Sequence, residues 1–313
     1  MQQNLVLAIL KFLKSEPPPA KVVILENVWG VMMRSKRMNL DAPIHSIMNS
    51  KAYGLHYLSN YWVSEVLSLR ADNIGLPHSR RRVFIVLMAK RYHSLEAVQR
   101  VISNVRLVAE RRLFIAPLQT WMHSPSSEDE VDCKLRCKKA RNDADEFPPK
   151  SAQLCRRFRR EHDLPTMNDV GGQPFSDSAP DHVLAKTSRY QREVADIAVL
   201  YIAQFRHAAT SGNLDDLLVD ISQNPTRLPW RCDGKIQSLS TSSKLVFRGE
   251  LVGFKALFGM MGWPHRTFII PEGLSTTDMT KLLGNMLCPP MVGAVMASAW
   301  AVTMKRSDPA SSS

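Results

Sequence analysis

The chain has 313 residues, 44% hydrophobic and 22% charged, which is a globular composition large enough for one big domain or two ordinary ones. Its net charge of +12, with a pI of about 9.7, suits a polyanionic partner such as nucleic acid, although a merely basic protein has the same balance. Five cysteines (Cys133, Cys137, Cys155, Cys232 and Cys288) are too few and uneven for a disulfide framework and point to a reducing compartment.

Residues 4–14 read as a short amphipathic helix with Leu5, Ile9, Phe12 and Leu13 on one face. Lys11 and Lys14 interrupt its apolar stretch and no basic residue precedes it, which argues against a signal peptide. No run approaches the roughly 20 apolar residues of a membrane helix, so no membrane partner is expected. Pro17–Pro19 stops the helix. Val22–Leu25 then reads as a short buried strand that runs directly into Glu26-Asn27-Val28.

Tyr61–Leu69 is a mixed apolar run read as a strand, Gly75-Leu76-Pro77 a turn, and Val83–Ala89 a strongly β-prone strand. The first 90 residues are therefore expected to form part of an α/β sheet. From Glu96 to Leu113 the pattern is helical or mixed. Residues 124–182 hold "SPSSEDEVD", a basic cluster and "GGQPFSDSAPD", and read as a loop-rich, partly disordered insertion. Tyr190–Phe205 has helical spacing. A Ser/Thr-rich loop, Ser238–Ser243, precedes Lys244–Phe247. Asp278–Trp300 looks helical, broken at Pro289-Pro290, and "SDPASSS" is a tail. No internal repeat is present.

Two features carry chemistry. Glu26 sits at the carboxyl end of the first strand, where open α/β sheets bind ligands. Arg80, Arg81 and Arg82 lie between the Gly-Leu-Pro turn and the next strand, and strand spacing puts Arg80 and Arg82 on one face. A Glu beside arginines is commonly a structural ion pair. The same set can also grip a polar ring such as a flipped nucleobase, which needs a donor or acceptor for each edge atom.

The wider pattern favours the ring. "ILENVWG" resembles the Glu-Asn-Val motif of DNA cytosine-5-methyltransferases. "ADNIGLPHSRRRVFIVL" resembles that family's Gln-x-Arg-x-Arg motif, with His78 in place of the usual Gln. "LLGNMLCPPMVGAVMASAW" resembles its closing Gly-Asn…Pro-Pro motif. "GKIQSLSTSSKLVF" with "FKALFGMMGWP" resembles its Thr-rich loop and following helix, departing from it at Lys255 and at Gly262-Trp263-Pro264. These four stand in the family's order over roughly residues 1–90 and 226–303.

The resemblance implies a partial Rossmann-like methyltransferase sheet with an inserted, irregular target-recognition region. On this reading residues 1–95 form the second half of the catalytic domain and 96–225 the variable recognition region. Residues 226–303 carry closing motifs that return to the catalytic domain, and 304–313 the tail. It further implies S-adenosylmethionine as cofactor, cytosine C5 in DNA as the methyl acceptor, and DNA as partner. A tRNA-methylating branch shares the motifs, so RNA stays open as substrate. Glu26 matches the residue that hydrogen-bonds or protonates cytosine N3, and Arg82 the one that contacts the ring oxygen. Asn27 and Arg80 match their supports, and Gly284 and Asn285 the motif that closes over the cofactor. The implied location is the nucleus in a eukaryote and the cytoplasm otherwise.

The family's Phe-x-Gly-x-Gly cofactor loop and nucleophilic Pro-Cys-Gln loop are absent from the 25 residues before Glu26, and no other cysteine has that context. The expectation is an incomplete chain, inactive by itself: the front half is carried by a second polypeptide, left out by a truncated gene model, or lost from a decayed copy. Without a neighbour, Val22–Leu25 would be an exposed apolar edge. The rival is a non-catalytic protein that binds DNA or an active methyltransferase; a third reading is an unrelated basic α/β protein. Between Cys133 and Arg160 lie ten Lys and Arg, suited to phosphate contact, to a nuclear localisation signal or to a solvated loop. Cys133, Cys137 and Cys155 with His162 have loose spacing for zinc, and no metal is expected.

Overall fold

The computed structural model describes the chain outside residues 1–7, 34–42, 123–148, 176–183, 206–213, 265–273 and 305–313 and the single positions 10, 15, 16, 19, 50, 52, 53, 112, 185 and 186. Its strands are β1 Val22–Val28, β2 Tyr61–Val63, β3 Leu67–Arg70, β4 Arg81–Ala89, β5 Leu218–Asp220, β6 Trp230–Arg231, β7 Leu245–Phe247 and β8 Glu250–Leu251. Its α-helices are α1 Pro43–Asn49, α2 Leu95–Glu110, α3 Leu118–Trp121, α4 Pro149–Glu161, α5 Arg189–Phe205, α6 Phe254–Met260, α7 Thr276–Asn285 and α8 Pro289–Met304. The chain divides into two compact units. The first contains residues 1–75, 80–114 and 289–313; the second contains 76–79 and 115–288. This is a mixed α/β protein.

The first unit is built on β4. Its seven apolar residues from Val83 to Ala89 are all 5% exposed or less, so β4 is covered on both faces. β1 pairs antiparallel along one edge of β4, and β2 and β3 pair antiparallel along the other. Tyr61–Leu69 is thus two strands rather than one. Tyr61 stands opposite Ala89 and Leu67 opposite Phe84, a one-residue shift in register that marks a bulge between them. Buried Ser64 fills the gap: its N–H donates to Val86 O at 2.9 Å and its Oγ accepts the Val86 N–H at 2.9 Å.

Leu13, Ile44, Met48, Leu55, Ile85 and Leu87 form the core on one face, joined by the partly buried Val23 and Leu25. α2 and α8 pack on each other and against the strands. Of the amphipathic face expected near the start, Leu13 is buried, whereas Ile9 and Phe12 are 36% and 58% exposed and Leu5 lies outside the described residues. The helical break expected at Pro289-Pro290 is present, between α7 and α8. Thr277–Met304 has the length and mean hydropathy (1.4) of a membrane span, which corrects the expectation that no run approaches one. Extended backbone at Met286 interrupts it, and α8 buries Met291, Val295, Ala299 and Val302, so it reads as a packed helix.

The second unit carries a four-stranded antiparallel sheet in the order β6–β5–β7–β8. Arg248 and Gly249, with φ of 51° and 81°, make the two-residue turn joining β7 to β8; both central residues need a left-handed backbone. Phe158 of α4, Ile197 of α5 and Trp230 of β6 share one core. Leu218, Leu245, Phe254, Met260 and Leu283 share another. The expected loop-rich stretch 124–182 therefore contains a helix: α4 buries Cys155 and Phe158, three residues apart, under a sequence otherwise dominated by charge.

Candidate functional site

The site builds on the register of β1 against β4. Strand β1 does not stop at Leu25 but continues to Val28, so Glu26 lies inside a paired strand, opposite Phe84, rather than at its end. Asn27 shapes the last residue: its Oδ1 accepts the Val28 N–H at 2.8 Å. Side chains alternate across a sheet, so Val22, Ile24, Glu26 and Val28 share a face with Arg82, Phe84, Val86 and Met88. Arg82 stands opposite Val28 and is therefore the diagonal neighbour of Glu26.

That placement brings Arg82 Nε within 2.6 Å of Glu26 Oε1, with the two side chains 8% and 22% exposed. Arg80 is buried as well, and its carbonyl accepts the Ala71 N–H at 3.0 Å, so the residue continues the strand pairing two positions before Arg82. Arg81 alternates away from this pair; its guanidinium lies 4.3 Å from the centre of the Trp29 ring. Burial raises the Glu26 carboxyl above the ordinary carboxylate range, against the opposing charges of Arg82 and Arg80 and the Arg82 hydrogen bond. The result is a carboxyl that holds its proton longer than a free one, one oxygen anchored by a buried guanidinium. Such a group can hand a proton or hydrogen bond to a ring nitrogen while an arginine donates to a ring oxygen.

Gly284 and Asn285 belong to the second unit, at the end of α7. A Cβ on Gly284 would stand 2.5 Å from Thr241 N and 2.7 Å from Ser240 C, so glycine here permits helix-to-loop backbone packing. The loop it touches is closed on itself: Ser240 N–H donates to Ser243 Oγ at 2.8 Å. Asp220 ties down the loop's far side, accepting from Lys244 N–H at 3.1 Å, Ser222 Oγ at 2.6 Å and Ser222 N–H at 3.1 Å. The structure thus joins two stretches that the sequence presents separately, the Ser/Thr-rich loop and the Gly-Asn segment. Asp220 was missed because its only sequence signal is an acidic residue ending a short apolar run.

Among the described residues no cluster of His, Cys, Asp and Glu could hold a metal, and Cys133 and Cys137 lie outside them. His162 packs in an aromatic group with Phe158, Tyr201 and Phe205. Burial, then the nearby Glu193, push the Cys155 thiol up to about 12, so it supplies no thiolate at neutral pH. Cys288 is 1% exposed.

Residues 1–135 match the family model of the C-5 cytosine-specific DNA methylases. This span contains Glu26, Asn27, Arg80 and Arg82 and ends before Gly284 and Asn285. No curated protein matches the chain significantly.

Proposed function

We propose that this chain, whose residues 1–135 match the C-5 cytosine-specific DNA methylase model, supplies the base-polarising part of a DNA cytosine-5-methyltransferase. The β1–β4–β2/β3 sheet is then part of a Rossmann-like methyltransferase sheet. The observation that carries the reading is the Glu26–Arg82 pair, 2.6 Å apart on one sheet face with Arg80 buried beside it.

In this reading a cytosine extruded from the duplex meets the pair edge-on. Protonated Glu26 donates to N3, and Arg82 donates to the ring oxygen while keeping the carboxyl in place. Electron density drawn toward N3 leaves C6 open to a nucleophile; C5 would then take the methyl group, and loss of the C5 proton with departure of the nucleophile from C6 would restore the ring. No cysteine of this chain is assigned as that nucleophile, and the chain by itself is expected to transfer no methyl group. S-adenosylmethionine is the methyl donor in this proposal. In this proposal Gly284 and Asn285 are the residues that would lie against it; the Ser240–Thr241 backbone fills the space beside the Gly284 Cα, and Asn285 is exposed. No step is assigned to either residue.

Binding to two duplexes tests the reading. One carries a matched C·G pair and the other the same cytosine opposite an abasic site, which is cheaper to extrude. The expected result is tighter binding of the second, a preference lost in Glu26→Gln and Arg82→Met with affinity for the matched duplex kept. Equal affinity of the unaltered chain for the two duplexes would count against a base pocket. A second reading, a non-catalytic DNA-binding protein located where DNA is, is favoured by α4, whose Lys150, Arg156, Arg157 and Arg160 are all exposed. It predicts salt-sensitive binding that ignores Glu26.

A further inference from the structure

The turn that follows β4 lays cations onto aromatic rings at one end of the first unit. Tyr92 and His93 both donate their N–H groups to Ala89 O at 3.0 Å, so the chain doubles back as soon as the strand ends. The Ala89 N–H donates to Lys21 O at 2.9 Å and the Lys90 N–H to Asn60 O at 2.9 Å, which ties the turn to the residues just before β1 and just before β2. Trp62 of β2 holds its other side, donating the ring N–H to His93 O at 3.1 Å. Side chains from three separate stretches meet here as a result. Lys90 Nζ lies 4.6 Å from the centre of the Trp62 ring. Lys21 Nζ and the Arg91 guanidinium lie 5.1 and 5.8 Å from the centre of the Tyr92 ring.

All three cations are exposed, and Tyr92 is 39% exposed. Among the described residues no carboxylate forms an ion pair with any of them. Arg70, Arg82 and Arg106 of the same unit are by contrast taken by Asp72, Glu26 and Glu65. The rings thus order two ammonium groups and a guanidinium while leaving their charge to be met from outside. The surface is distinct from the Glu26–Arg82 pair: Arg82 and Ala89 stand at opposite ends of β4, seven residues or about 23 Å apart.

Uncompensated cations at this density suit a polyanion, and the rings narrow its class. A duplex presents phosphates but keeps its bases stacked inside. An unpaired strand presents phosphates and base faces together, and a base face stacks on a tyrosine ring or on an arginine plane. We infer that Lys21, Trp62, Lys90, Arg91 and Tyr92 form a binding surface for single-stranded nucleic acid. Lys21 and Lys90 take its phosphates, Trp62 stiffens Lys90, and Tyr92 with Arg91 takes a base. The inference goes beyond the methyltransferase reading and does not rest on it.

The test uses the 313-residue chain and, as probe, fluorescein-labelled oligothymidylate of about 20 nucleotides, longer than one site, read by anisotropy. A duplex of the same length and vesicles of phosphatidylserine are the competitors. The single strand is expected to bind more tightly than the duplex. Lys21→Gln, Lys90→Gln and Arg91→Gln each weaken it by about fivefold at 0.1 M salt and lower the slope of log affinity against log salt by about 0.7. Tyr92→Leu keeps the apolar bulk, removes the ring face and weakens the single strand by at least about fivefold with the salt slope unchanged. Lys90→Arg keeps the affinity. Each loss is the same in an Arg156→Gln, Arg160→Gln background, which separates this surface from α4, and in Glu26→Gln, which separates it from the base pocket. Unfolding midpoints confirm that the variants are folded. Absence of single-strand binding, or affinity unmoved by the three charge variants, would overturn the inference. So would losses confined to the charge variants with Tyr92→Leu unaffected, which describe a phosphate-only surface, or displacement of the strand by the duplex or the vesicles at equal or lower concentration.

Discussion

Arg82 reaches Glu26 because the two are diagonal neighbours on one face of the β1–β4 pair, with Nε and Oε1 2.6 Å apart. The guanidinium lowers the carboxyl's pKa, while burial, the larger effect, raises it. Arg82→Met removes the opposing charge and hydrogen bond, so the Glu26 pKa rises further. A carbon-13 NMR titration of the Glu26 carboxyl reads the change. A lower pKa in the variant would show that the pair is not coupled in solution.

The same shift fixes a pH dependence. Glu26 binds its proton more tightly folded than unfolded, so ionising it costs stability. Relative to Glu26→Gln, the unaltered chain holds its full stability below the unfolded value of 4.5 and loses it as pH rises through the higher folded pKa. Urea midpoints of the two proteins at a series of pH values from about 4 to 8 should diverge in that direction.

Gly284→Ala places a methyl group against the backbone of Ser240 and Thr241, atoms that cannot move aside as a side-chain tip can. The expected cost is about 1–3 kcal/mol. Thermal unfolding should show a lower midpoint, with amide protection lost first in α7 and the 240–243 loop. An unchanged midpoint would mean the helix and loop are farther apart than the structure places them.

Asp220 is 2% exposed and accepts three hydrogen bonds through one oxygen. Asp220→Ala leaves those donors unmet at a cost of about 3 kcal/mol. Asp220→Asn keeps an acceptor oxygen and should recover most of it. Denaturant unfolding of the two variants separates loss of the acceptor from loss of charge.

Arg156 and Arg160 line an open groove of about 480 Å³ at the end of α4, with Arg159, Asp163, Leu164 and Pro165. Arg159 is engaged by Glu193 at 2.8 Å and by Pro165 O at 2.6 Å. If α4 meets DNA phosphates, Arg156→Gln and Arg160→Gln each reduce the slope of log affinity against log salt by about 1. A slope unchanged in the double variant assigns those phosphates to another surface.

Legibility in the sequence followed how local the cause was. Val83–Ala89 was readable as a strand because seven apolar residues in succession suit burial on both faces wherever they lie. The break at Pro289-Pro290 was readable because proline lacks an N–H. The bulge at Ser64–Val66 was not, since a one-residue change of register depends on the strand opposite. α4 was hidden by its charge: only Cys155 and Phe158 are buried, and two apolar positions among arginines do not outweigh a loop-like composition.

By itself the sequence determined which residues could work together: a carboxyl at Glu26, alternating arginines at 80 and 82, and a Gly-Asn pair at 284 and 285. Tertiary structure alone decided which of them meet. Antiparallel register puts Glu26 and Arg82 on one face at 2.6 Å, across 56 positions of chain, and a shift of one residue would have turned Arg82 to the other face. Backbone packing gives Gly284 its reason, through a loop more than 40 positions away that no local pattern connects to it.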